Sequence, residues 1–138
     1  KVENCMKMPG GGYHTVAPGQ VTDDSEMMMS LMLGYVASNE NVAADDEKQF
    51  DFNMIGKQYS RWYTSQPFDI GQATETAIKS LSYAGKTAED AIERANTFNA
   101  STKSNGSLMR CMPHAIFGAN MVKAGKFREL KNLVSMYI

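Results

Sequence analysis

The sequence predicts an all-α domain, and three observations carry that expectation. Apolar residues recur three and four positions apart in successive segments, helix-start and helix-stop residues bracket those segments, and no stretch alternates convincingly as a strand. The 138 residues have room for one domain around one sizeable core.

A flexible segment, Gly10-Gly11-Gly12-Tyr13-His14, opens the pattern and is closed by Pro18-Gly19-Gln20. Met27 to Val36 follows as an apolar run. Within it Met28, Leu31, Met32 and Tyr35 keep the i, i+3, i+4, i+7 spacing, while Met29, Leu33 and Val36 lie on other faces, so this helix is expected to be central and buried. Several of the eleven methionines gather here. They suit a softly packed core, with a methionine-lined groove as the alternative.

The polar stretch from Asn39 to Asp46 reads as a connection. From Asp46 to Thr64 the stripe Phe52, Ile55, Tyr59 and Trp62 predicts an amphipathic helix, in which Tyr59 and Trp62 are core residues rather than ring-stacking ones. Ser65-Gln66-Pro67 interrupts it, because proline disfavours helical geometry in the residue before it. Asp69 can then cap a third helix, marked by Ala73, Ala77 and Leu81 and stopped near Gly85.

Thr87 and Asp90 form a capping box for a fourth helix carrying Ala88, Ile92 and Ala95, with Phe98 or Asn99 continuing it. Asn99 to Gly106 is a polar loop or a distorted helix end. Leu108 to Asn120 is helix-like, and Pro113 either starts that helix or kinks it. Phe127, Leu130, Leu133, Val134 and Tyr137 form the last stripe. No internal repeat or low-complexity tract interrupts the order.

A net charge of −1, from 14 basic and 15 acidic residues, gives no global field for nucleic acid or an anionic membrane. An anionic ligand would need a local site. Cys5 and Cys111 match no zinc or redox spacing, which predicts a reducing intracellular setting, cytoplasmic by default. No apolar run approaches the roughly 18 residues of a membrane span, and the first residues are not a signal peptide, so a soluble protein is expected. Lys1 in place of Met suggests a tag, a processed segment or a longer parent sequence upstream.

The chemistry concentrates in Thr22-Asp23-Asp24-Ser25-Glu26, where hard oxygen donors stand at the mouth of the apolar run. Such oxygens suit Mg²⁺, Ca²⁺ or Mn²⁺. The same residues also fit a helix cap, with Asp23 and Glu26 at capping-box spacing and acids complementing the helix dipole. A helix start can present one set of acids to both ends.

Several ordered motifs extend this: Gly10-Gly11-Gly12, Pro18 to Met27, Tyr59-Ser60-Arg61-Trp62-Tyr63, Phe68-Asp69-Ile70-Gly71 and Asn105-Gly106-Ser107-Leu108-Met109-Arg110. In this order and spacing, from about Gly10 to Gly118, they resemble the ADP-ribosylglycohydrolase family, including the dinitrogenase reductase-activating glycohydrolases. The resemblance implies an all-α orthogonal helical bundle with two Mg²⁺ ions, or Mn²⁺ in their place, in a cleft. It implies hydrolysis of the bond between ribose C1″ of ADP-ribose and a modified side chain, commonly arginine or serine, with an ADP-ribosylated protein or ADP-ribose compound as partner.

Carried over by motif, Thr22, Asp23 and Asp24 would hold metal, and Asp24 and Asp69 would be the catalytic acids. Asn105, Gly106, Ser107, Met109 and Arg110 would form the ADP-ribose-binding loop, with Gly10, Gly11 and Gly12 as its partner. In isolation each has a plainer reading: a cap for Asp69, a turn for Asn105-Gly106, an ion pair for Arg110. His14 and His114 receive no role.

The family's early Gly-Asp segment and its late Asp-x-Asp-Thr or Asp-x-Asp-Ser motif are missing. Ala119 to Ile138 contains no aspartate, and Glu129 is its single acid. The domain therefore reads as incomplete, carrying one half of the metal site. Two function classes follow: the metal-bearing part of an ADP-ribosyl hydrolase, or a catalytically inactive module with a structural or assembly role. Either way, apolar faces left uncovered would invite a protein partner.

Overall fold

The computed structural model describes residues 2–43 and 50–135. The architecture is all-α, as expected: α1 (Val2–Met6), α2 (Asp23–Ser38), α3 (Phe52–Thr64), α4 (Gln72–Ile78), α5 (Ala88–Phe98), α6 (Met112–Lys123) and α7 (Phe127–Ser135). Short 3₁₀ turns at Lys79–Ser82 and Leu108–Arg110 extend α4 and precede α6. Among the described residues the extended pairing is a single isolated bridge, Gly11 with Val16.

The core forms where α2 lies along α3, joining Met27, Leu31 and Tyr35 to Ile55, Tyr59 and Trp62, with Ile78 from α4. Gly34 allows this approach. A Cβ there would lie 2.6 Å from Ile55 Cγ1 and 2.7 Å from Ile55 Cα, so even alanine would force the helices apart. Trp62 Nε1 reinforces the contact by donating to Glu26 Oε2 at 2.7 Å, and Ser60 Oγ ties α3 to the 3₁₀ turn after α4 by donating to the Leu81 carbonyl at 2.9 Å.

The face that α2 buries differs from the expected stripe. Met27, Ser30, Leu31, Gly34 and Tyr35 are buried, whereas Met32, Leu33, Val36 and Met29 are exposed. Apolar residues stand all around this helix, so its periodicity could not select one face; Gly34 selects it by admitting Ile55. The helix is thus half-covered rather than wholly buried.

Capping also departs from expectation at two places. Thr22, not Asp23, is the N-cap of α2 and makes no side-chain cap bond, while Glu26 is committed to Trp62. Gly71, not Asp69, stands at the N-cap of α4. The Thr87–Asp90 capping box of α5 forms as predicted. Asp51 caps α3 by accepting from the amides of Asn53 and Met54, so that helix begins at Phe52; the stretch predicted from Asp46 to Gln49 lies outside the described residues.

Pro113 lies in the first turn of α6, where its missing amide hydrogen costs nothing, which settles start over kink. Asn99 is the C-cap of α5, and its side-chain amide donates to the Ala73 carbonyl at 2.8 Å, tying the loop that follows to α4. The side chains of Leu133 and Val134, and all of Tyr137, lie outside the described residues. His114 at the start of α6 hydrogen-bonds through Nδ1 to the Tyr35 hydroxyl, inside a cluster of rings with Phe50 and Phe117. No helix among the described residues is long and apolar enough to cross a membrane.

Candidate functional site

The first turn of α2 places Asp23 and Asp24 where free amides and the helix dipole meet negative charge. Asp23 is buried and its side chain accepts from the Asp24 amide at 3.1 Å. Thr22 Oγ1 donates to Asp24 Oδ2 at a long 3.5 Å. Burial raises the Asp23 pKa above the ordinary carboxylate value, and the charges of Asp69 and Asp24 push it the same way. Three acids from two segments therefore share one electrostatic neighbourhood.

Asp69 comes to this neighbourhood on the loop before α4, and its Oδ2 lies 3.3 Å from His14 Nε2. His14 in turn sits on the turn begun by Gly10, Gly11 and Gly12. That turn is closed by Gly11 and Val16, whose amides and carbonyls exchange bonds of 2.7 and 3.1 Å. At Gly10 φ is +78°, and a Cβ would strike the backbone from Val16 to Pro18. Only glycine meets both demands.

Asn105, Gly106 and Ser107 follow α5 and rest on α4. Gly106 is close enough to Thr74 that a Cβ would lie 2.8 Å from its Oγ1. Gly106, Ser107 and Arg110 line a cleft of about 370 Å³ with Thr74, Asn99 and Ser104, which is rich in hydroxyl and amide groups. Met109 packs against the core. The Arg110 guanidinium stacks 5.4 Å from the Tyr59 ring centroid and points Nη1 to Met27 Sδ at 3.5 Å, with Nε buried and without a hydrogen-bond partner among the described residues.

Two groups thus emerge: the acids with the glycine turn, and the Asn105–Arg110 cleft. Arg110 touches Met27, one turn along α2 from Asp23, and so links the second group to the helix that carries the first. Sequence reasoning missed His14, Thr74 and Asn99. Each acquires its place from a partner distant in the chain, for which no local spacing offers a signal.

The sequence profile of the ADP-ribosylglycohydrolase family matches residues 2–131. The chain belongs to this family. Among curated relatives, it is 30% identical over 110 residues to the ADP-ribosyl-[dinitrogen reductase] glycohydrolase of Rhodospirillum rubrum, covering 80% of this chain and 32% of that protein. It is 30% identical over 129 residues to the ADP-ribosylarginine hydrolase Tri1 of Pseudomonas putida, covering 88% of this chain and 31% of that protein. The chain spans about a third of the length of these relatives.

For a divalent cation, the donor chemistry of the acid cluster fits. Asp23 and Asp24 offer hard anionic oxygens beside the Thr22 hydroxyl, and the Asp23 pKa is raised first by burial and then by the negative charges of Asp69 and Asp24. The set is partial, because no group of three His, Cys, Asp or Glu side chains is gathered tightly enough to hold an ion among the described residues.

Proposed function

We propose that this ADP-ribosylglycohydrolase chain supplies one half of a magnesium-assisted site that hydrolyses the glycosidic bond between ADP-ribose and a protein side chain. The observation that carries the reading is the gathering of three acids beside a glycine turn, where Asp69 and Asp24 add their charges to burial in raising the Asp23 pKa. The relatives named above, a dinitrogen reductase glycohydrolase and an ADP-ribosylarginine hydrolase, support it.

Thr22, Asp23 and Asp24 would hold the ion, and Mn²⁺ has the same ligand preference. When bound, the ion acidifies water and orients ribose hydroxyls. The chain's own residues do the rest. Asn105-Gly106-Ser107 brings backbone to a pyrophosphate, and Gly106 keeps the approach open where a Cβ would meet Thr74. Asp69 stands at the linkage, and with Asp24 it offsets the positive charge that grows on the sugar as C1″ parts from the leaving side chain. Water adds to C1″, and the leaving nitrogen or oxygen takes a proton.

Calorimetry with ADP-ribose tests the assignment. The chain should bind it saturably in Mg²⁺ and weakly or not at all after chelation. Equal heats with and without Mg²⁺ would remove the metal-assisted site. The incomplete donor set favours a second reading, an inactive module with a structural or assembly role, and that reading expects no ADP-ribose binding under either condition.

A further inference from the structure

We propose that His14 is a positioning residue for Asp69, a role resting on the assignment of Asp69 to the sugar linkage. The geometry begins with the turn. Gly10 to Gly12 and the Gly11–Val16 bridge fold the chain back on itself, so the imidazole two residues beyond Gly12 is carried on a closed support rather than a free end.

Two rings then set its plane. Tyr13 meets the His14 ring edge-on, with centroids 4.9 Å apart, and Phe68 meets it edge-on at 5.7 Å. Phe68 is the neighbour of Asp69 in sequence. One aromatic contact therefore fastens the glycine turn to the loop that carries the acid, and Nε2 of the same ring approaches Asp69 Oδ2. The contact is half-sheltered, with the two side chains 35% and 28% exposed, so solvent screens it only in part.

A carboxylate on a short loop can rotate about its side-chain torsions. Contact at Oδ2 restricts that rotation and leaves Oδ1 for the C1″ substituent of the bound sugar. His14 thereby acts through Asp69 and touches no reacting atom. An incidental surface pair would show the same distance without consequence for the ligand, and the test separates the two.

ADP-ribose and ADP are titrated into the 138-residue chain and into His14→Ala, His14→Gln, Asp69→Asn and the His14→Ala/Asp69→Asn double variant. ADP shares the nucleotide and pyrophosphate but lacks the ribose whose C1″ Asp69 would meet. The expected result is an ADP-ribose affinity about three- to tenfold weaker in His14→Ala, unchanged ADP affinity, partial recovery in His14→Gln, and no further loss when His14→Ala is added to Asp69→Asn. Equal weakening for both ligands, or additive losses in the double variant, would overturn the proposal. If Asp69→Asn leaves ADP-ribose affinity at the parent value, or the parent binds no ADP-ribose, the reading of the site fails first, before any His14 variant is considered.

Discussion

His114 should impose an acid-side loss of stability whose size can be worked from its surroundings. Its ring is 6% exposed, accepts or donates through Nδ1 to Tyr35, and is held at a pKa of about 4 by burial first and by the Arg110 charge second. The unfolded chain protonates this group near 6.5. Between those values the unfolded state binds the extra proton, so His114 contributes stability above about pH 6.5 that is lost as pH falls toward 4. At 1.36 kcal/mol per pKa unit the ceiling is about 3 kcal/mol, a large fraction of the stability of a domain this size. Urea unfolding measured across that window should show a stability falling with acid in the parent and falling much less in His114→Gln, which keeps an amide for Tyr35 but does not titrate. Asp23 works in the opposite sense, since its raised pKa makes the folded state the better proton acceptor above the ordinary carboxylate range. Parallel pH dependences in parent and variant would refute the assignment of a buried neutral imidazole.

Gly34→Ala should lower stability by about 1–3 kcal/mol, because the added methyl meets both the side chain and the backbone of Ile55 and cannot be relieved by a rotamer change; chemical denaturation checks it, and a stability equal to the parent would contradict the close contact of α2 with α3. Gly106→Ala should weaken ADP-ribose binding while leaving the unfolding midpoint nearly unchanged, since Thr74 must move or the loop must lift. Calorimetry beside thermal melting separates those effects.

Helix existence was legible in the sequence wherever one apolar stripe dominated. The α3 stripe of Phe52, Ile55, Tyr59 and Trp62 is such a case, and Tyr59 and Trp62 are indeed buried in the core. Where apolar residues surround the helix, as in α2, periodicity is degenerate and the buried face is decided by a single small residue, Gly34. Caps were legible when donor and acceptor are neighbours, as with Thr87 and Asp90, and misread when a distant group competes, as when Trp62 takes Glu26. The acids at the head of α2 were legible as a cluster of oxygen donors. Their relation to Asp69, and that of Asp69 to His14, depends on how two loops fold toward one another, which the spacing of residues does not encode.

Met29, Leu33 and Val36 on α2, with Ile116 on α6, are exposed apolar residues. Met29, Leu33 and Val36 lie on the helix that carries the acids.

Whether Thr22, Asp23 and Asp24 hold a divalent cation is decided by a Mg²⁺ titration of the chain against Asp23→Ala/Asp24→Ala. Binding heat should appear in the parent and disappear in the double variant while the helical circular dichroism is retained. Binding that persists unchanged in the variant would contradict that assignment.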